Sequence, residues 1–184
     1  MFSDEAKIAP AKVSDFEELT RVMDRANEYA LTKSGDPMWT AMDFVRGQLR
    51  SHLEAGDCFV LRDAQKIVAT ITITEEDALW GDDGQDNNAL YIHKLMKNPE
   101  SHIRDIGLTF LSFAAHEAIR QNKKFLRCDT KTSQERLINY YYGLGFVKKR
   151  SFHYSVTGSE GVLLEADAQE VIARINKQDA NFSK

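Results

Sequence analysis

Two cysteines, Cys58 and Cys128, are all that 184 residues provide, and they fall in separate strand-like segments at no metal-binding spacing. That excludes a disulfide framework and suits a reducing compartment. No apolar run is long enough to span a bilayer, so no membrane partner is expected. The first residues, Met1-Phe2-Ser3-Asp4-Glu5-Ala6-Lys7, put acidic side chains where a secretory signal needs a basic and then an apolar stretch, and the expected location is cytoplasmic. Positive charge is not in excess. The 24 Lys+Arg stand against 28 Asp+Glu, a net charge of -4, which gives no overall electrostatic pull toward nucleic acid. Low-complexity linkers and internal repeats are missing too, and 42% hydrophobic residues in a chain of this length make one substantial core, so a single domain over 1–184 is expected. Neither a Gly-x-x-x-x-Gly-Lys-Ser/Thr loop nor a Gly-x-Gly-x-x-Gly turn occurs, which removes the usual nucleotide-phosphate motifs.

What the chain does contain is an alternation of helix and strand patterns. A short strand at 7–11 precedes Ser14-Asp15-Phe16-Glu17, which has capping-box spacing. Phe16, Leu19, Val22, Met23, Ala26 and Ala30 then recur at helical intervals, predicting a helix over 15–31. Thr40 opens a second helix in which Val45, Leu49 and Leu53 share a face, and Gly56 stops it. Strands at 58–62 and 66–74 flank the turn Asp63-Ala64-Gln65 and read as an antiparallel hairpin. A polar loop at 75–88, carrying Glu75, Glu76, Asp77, Asp82, Asp83 and Asp86, leads to a strand at 89–97. The helix expected over 107–121 is strongly apolar, with Leu108, Leu111, Ala115, Ala118 and Ile119 on one face and Phe110, Phe113 and Ala114 widening it. A strand at 125–129, a helix at 134–144, strands at 146–156 and 161–166, and a helical tail at 167–178 complete the reading.

Two features in this order carry chemistry. Arg104-Asp105-Ile106-Gly107 stands at the mouth of the apolar helix, where backbone N–H groups and the positive end of the helix dipole point at an anion, and the anion it suggests is a pyrophosphate. Tyr140-Tyr141-Tyr142-Gly143-Leu144-Gly145-Phe146 ends the later helix. Three consecutive tyrosines point in different directions, so at most one faces any given site.

The block Leu90-Tyr91-Ile92-His93-Lys94-Leu95, Pro99, Arg104-x-x-Gly107, the apolar helix, Leu126-Arg127-Cys128-Asp129 and Tyr141-x-x-Leu144-Gly145-Phe146 resembles the GNAT superfamily of acetyl-CoA-dependent N-acetyltransferases. The resemblance covers residues 7–166, with its diagnostic residues in the latter half. It implies an α/β (α+β) fold with a mixed, mostly antiparallel sheet of about six to seven strands flanked by helices, its central strands splayed. It also implies acetyl-CoA as cofactor and the primary amine of a small molecule or peptide as acceptor. The family turn reads Gln/Arg-x-x-Gly-x-Gly/Ala; here Arg104, Asp105, Ile106, Gly107, Leu108 and Thr109 occupy it, with Thr109 in place of the last small residue and Asp105 where glycine is common. By the same resemblance the backbone of Leu95, Met96 and Lys97 pairs with the pantetheine arm. Gln134 takes the place of an asparagine that contacts the cofactor, and Tyr141 protonates the departing thiolate.

His93 lies on the strand where some family members carry a glutamate base, and an imidazole of ordinary pKa near ~6.5 suits that task. A half-buried structural histidine is the other reading, with Glu75 and Glu76 as competing bases. Trp39, Glu75 and Trp80 are the candidates for contact with the acceptor, although both tryptophans suit core packing equally well. Cys128 reads as a small buried hydrophobe rather than a nucleophile, His116 as a surface or packing residue, and no metal is required. A non-catalytic acyl-CoA-binding module is the alternative. A homodimer through the last strands and the tail is left open.

Overall fold

The computed structural model describes residues 7–182. Seven strands run in the sheet order β1-β2-β3-β4-β5-β7-β6, with the strands numbered along the chain, and helices flank them. The β1/β2, β2/β3, β5/β7 and β6/β7 ladders are antiparallel, and β4/β5 is parallel. The chain divides into two compact units: Met1–Ile73 with Lys94–Gly107, and Thr74–His93 with Leu108–Lys184. Among the described residues no helix is long and apolar enough to cross a membrane.

In the first unit, β1 (Ile8–Pro10) pairs with β2 (Cys58–Asp63), and β2 turns through Ala64 into β3 (Lys66–Thr74). The expected hairpin is there, with a register shift between Leu61 and Arg62. Both faces of β3 are covered, so Thr70 and Thr72 are as buried as Ile71. Thr70 keeps its hydroxyl satisfied by donating to the Phe59 carbonyl at 2.8 Å. Helix α1 (Phe16–Ser34) runs three residues past its expected end and stops where Gly35, at φ 74, donates its N–H to the Leu31 carbonyl. The Ser14–Glu17 box is not what starts it. The Asp15 carboxylate instead accepts the Lys12 N–H at 2.8 Å within a 3-10 turn over Val13–Asp15. Helix α2 (Met42–Ala55) buries Val45, Leu49 and Leu53 as its spacing predicts and ends at Gly56, φ 83. These residues pack with Leu19, Val22, Met23, Cys58, Val60, Ile67 and Met96 into one apolar cluster.

In the second unit, β5 (Phe125–Lys131) pairs with β7 (Glu160–Asp167), and β7 with the exposed edge strand β6 (Val147–His153). The register of β6 shifts between Lys148 and Arg150. Gly161 must be glycine, because a Cβ there would lie 2.6 Å from the Phe152 ring. Helix α3 (Ile106–Arg120) buries Phe110, Leu111, Ala114, Ala115 and Ala118. Ile119, expected on that stripe, is 40% exposed. Helix α4 (Glu135–Gly143) turns Tyr141 inward, and α5 (Ala168–Phe182), outside the family resemblance, buries Val171 and Ile175. Asp167 caps α5 by accepting the N–H groups of Gln169 and Glu170.

Candidate active site

The first unit carries the candidate anion turn. Strand β4 (Ala89–Lys97) has Lys94 at φ 47, a left-handed residue inside an extended segment. Such a residue interrupts the regular alternation of side chains and re-aims backbone groups. Beyond it Met96 is buried, while Leu95 and Lys97 are half-buried. The turn that follows is tied down along its length. Asn98 N–H donates to the Val68 carbonyl at 2.8 Å, Ser101 N–H to the Asn98 carbonyl at 3.0 Å, and the Lys97 ammonium to the Ile103 carbonyl at 2.8 Å. Arg104 and Asp105 are exposed, and α3 begins one residue later. Asp105 adopts φ 56, which explains why glycine suits this place: the turn needs the left-handed conformation, and aspartate is among the few side-chain-bearing residues that accept it. Gly107, Leu108 and Thr109 lie in the first turn of α3, the part of a helix whose N–H groups lack internal acceptors.

The second unit assembles the titratable groups. His93 Nε2 lies 3.1 Å from the Thr74 hydroxyl, and that hydroxyl lies 2.9 Å from the Glu76 carbonyl. A carbonyl only accepts, so the Thr74 proton goes to Glu76 and Nε2–H donates to Thr74. This network fixes the orientation of the ring, with Nε2 turned toward Thr74. A ring nitrogen of His93 and carboxylate oxygens of Asp77 and Asp129 lie within 4.8 Å of one another. Asp77 is oriented by the Leu79 N–H, which donates to Oδ1 at 2.9 Å, and Asp129 by the Tyr154 hydroxyl, which donates to Oδ2 at 2.6 Å. Burial and then the charge of Asp129 push the Tyr154 phenol far above its ordinary value, so it remains a donor.

Tyr141 reaches the same neighbourhood from α4. Its ring packs edge-on against Phe146, with centroids 4.9 Å apart, and its hydroxyl bonds to the Cys128 sulfur. Burial, then the charges of Cys128, Tyr140 and Asp129, drive its pKa well up. The phenol therefore holds its proton at any working pH, as a proton donor must. Cys128 is driven up as well, by burial first and by Asp129 second, which makes it a poor nucleophile. Gln134, buried at the start of α4, and His116, on the surface of α3, sit where the sequence puts them. Tyr142 is 40% exposed.

Arg127 fastens the Thr74–Asn88 segment to the sheet. Its guanidinium is 4% exposed and forks onto Asp86 at 3.0 and 2.8 Å, while Nε donates to Glu165 at 2.8 Å and Nη1 to the Tyr91 hydroxyl at 2.9 Å. The Trp80 ring lies beneath it, 4.7 Å from the guanidinium carbon. Burial opposes the charge, yet the bonds to Asp86, Glu165 and Tyr91 outweigh it and raise the Arg127 pKa.

One substrate-contact expectation changes here. Trp80 is fully buried with Tyr91, Ala89 and Leu163, so it is a core side chain rather than a pocket lining. Glu75 is exposed, with its carboxylate 3.4 Å from the Lys123 ammonium. Trp39, in the other unit, is half-buried against the α1/α2 cluster, and its backbone is clamped by both amide atoms of Asn27. From the sequence Asp77 stood only as one carboxylate of an acidic loop and Arg127 and Asp129 only as members of a strand motif, none with a role, and Tyr154 was not named. The parallel pairing of β4 with β5 sets Ile92 opposite Cys128 and hence His93 close to Asp129, and no sequence signal gave that register.

Residues 19–146 match the sequence profile of the acetyltransferase (GNAT) family. No curated protein matches the chain significantly. Among solved structures, a GNAT-family acetyltransferase from Listeria monocytogenes 4b F2365 is 19% identical, covers 88% of this chain and 94% of its own, and has a TM-score of 0.68. The PaiA N-acetyltransferase of Thermoplasma acidophilum, in complex with coenzyme A, is 13% identical with 88% and 98% covered and a TM-score of 0.66. The ribosomal-protein-S18-alanine N-acetyltransferase of Escherichia coli is 14% identical with 89% and 94% covered and a TM-score of 0.61. At these identities the likeness to the solved structures is one of fold.

Proposed function

Because the chain belongs to the GNAT acetyltransferase family, we propose that it moves the acetyl group of acetyl-CoA directly to a primary amine of a small molecule or peptide. The observation that carries this reading is the joint placement, in one unit, of His93 beside Asp77 and Asp129 and of a proton-bearing Tyr141 beside Cys128 and Asp129. An ammonium cannot attack a thioester, so the acceptor must first lose a proton. His93 takes that proton, directly or through water, and Tyr141 returns one to the departing sulfur. The turn Arg104–Thr109 supplies backbone donors for the pyrophosphate, which any residue but proline can offer, Asp105 included. The backbone of Leu95, Met96 and Lys97 holds the pantetheine arm, where an N–H polarises the thioester carbonyl. Gln134 contacts the cofactor from α4, Trp39 contacts the acceptor, and the work is cytoplasmic.

The test is release of free thiol from acetyl-CoA with a panel of polyamines, amino acids, aminoglycosides and peptides. Turnover with one class supports the reading. Binding of coenzyme A with no turnover across the panel would instead make the protein an acyl-CoA-binding module.

The choice of base has its own test. His93→Gln is expected to lower kcat/KM by about 10²-fold near neutrality and to remove the acidic limb of the pH profile. Glu75→Gln, which removes one exposed carboxylate from the buried Lys123 ammonium, should leave both unchanged. A loss on Glu75→Gln with His93→Gln silent would transfer the role to Glu75.

A further inference from the structure

Asp129 occupies an unusual place in the second unit. It follows Cys128 on β5, so the parallel register that ends at the Ile92–Cys128 pair brings it to His93 from a different strand. Its carboxylate lies within 4.8 Å of the His93 ring nitrogen and the Asp77 carboxylate. Tyr141 feels the charge of Asp129 from the α4 side, and its hydroxyl bonds to the adjacent Cys128. On the remaining side Tyr154, at the start of the β6/β7 connection, donates to Asp129 Oδ2 at 2.6 Å. The Tyr154 ring is itself fixed edge-on against Phe152, with centroids 4.6 Å apart.

We propose that Asp129, oriented by Tyr154, is a positioning carboxylate that stands between the base His93 and the acid Tyr141 and serves both; this rests on the acetyltransferase reading above. The groups that face His93 are Thr74 and Asp77 from the preceding segment and Asp129 from β5, with Tyr154 behind Asp129. Thr74 fixes Nε2 as a donor but carries no charge. When the ring takes the acceptor's proton it becomes a cation, and of these groups Asp77 and Asp129 are the anions that can stabilise it. Asp77 caps a 3-10 segment, whereas Asp129 sits on a sheet strand and is held by the half-buried Tyr154 phenol. The strand residue is therefore the one whose position the fold guarantees. Its charge also opposes ionisation of Tyr141, which keeps the acid loaded while the base is being charged. A donor aimed at Oδ2 gives Tyr154 its part too: it fixes the carboxylate rotamer without neutralising the charge.

The experiment pairs kinetics with an NMR titration of the His93 imidazole, which needs no turnover. Asp129→Asn should lower kcat by about 10-fold to 100-fold with little change in the KM of either substrate, and the His93 pKa should fall by roughly one unit because a stabilising anion is gone. Asp129→Glu should restore part of both. Tyr154→Phe, which keeps the ring against Phe152, should give a smaller loss in the same direction. If the His93 titration is the same in Asp129→Asn as in the parent, or if the whole loss falls on the amine KM, the positioning role is overturned. If no amine turns over at all, the titration still decides the matter, so failure of the acetyltransferase reading and failure of this inference give different results.

Discussion

Tyr141→Phe is expected to lower kcat by about 10²-fold or more, while the affinity for acetyl-CoA stays within about a factor of two. The substitution removes one oxygen from a ring whose packing against Phe146 and Tyr140 is otherwise unchanged. The lost bond to the Cys128 sulfur is a weak one, and the stability change should be under about 1 kcal/mol. Cofactor affinity, on the proposed reading, comes from backbone donors in the Arg104–Thr109 turn and along Leu95–Lys97, none of which Tyr141 supplies. Steady-state kinetics and calorimetric titration with coenzyme A separate the two quantities. An unchanged kcat would take Tyr141 out of the chemistry. Because its phenol is held protonated by burial, the alkaline limb of the pH profile should not move when it is replaced.

Arg127→Met is expected to be the most damaging single change to stability, at about 3 kcal/mol, with a fall in Tm on the order of 6–12 °C for a chain of this size. Removing the guanidinium leaves Glu165, which is almost fully buried, with Lys149 as its remaining cation at 3.0 Å, while the more exposed Asp86 regains water. The cost is that of a desolvated charge left behind. Arg127→Met combined with Glu165→Gln should therefore recover part of the loss, and a double variant no better than the single one would place the effect in packing against Trp80 instead. Asp86 sits below its ordinary 3.8, chiefly through the hydrogen bond from Arg127. Its share of the stabilisation is thus fully present above that value and disappears as pH drops through the depressed folded-state pKa, and in Arg127→Met this acid sensitivity should shrink.

Legibility from sequence followed the reach of the signal. Helices α1, α2 and α3 and the β2/β3 hairpin announce themselves through periods that a window of a dozen residues contains, and Tyr141 through a fixed distance to Phe146. The motif turn could be read, including the oddity at Asp105, although its physical cause, a left-handed backbone, becomes visible only in the structure. Asp77, Asp129 and Tyr154 could not be read in the same way. They lie on a 3-10 segment, a strand and a connection far apart in sequence, and their meeting at His93 depends on the β4/β5 and β5/β7 registers, which no local pattern encodes. Trp80 misled for the complementary reason. It stands among acidic residues in a stretch with no period, and its burial is imposed by Arg127 and Tyr91 from other strands.

Strand β6 has a bearing on how the protein behaves at high concentration. It closes the sheet order, its backbone edge faces solvent, and a free edge is a template on which a second chain can pair. Here the register slips at Lys149, and Lys148, Lys149 and Arg150 follow one another along the slip. Lys149 turns back onto Glu165 and Arg150 onto Asp83, so an incoming flat strand meets a kinked backbone whose cations are already engaged within the chain. Protection of this edge rests chiefly on backbone geometry, and added salt, which screens charge but leaves the kink, should change it little.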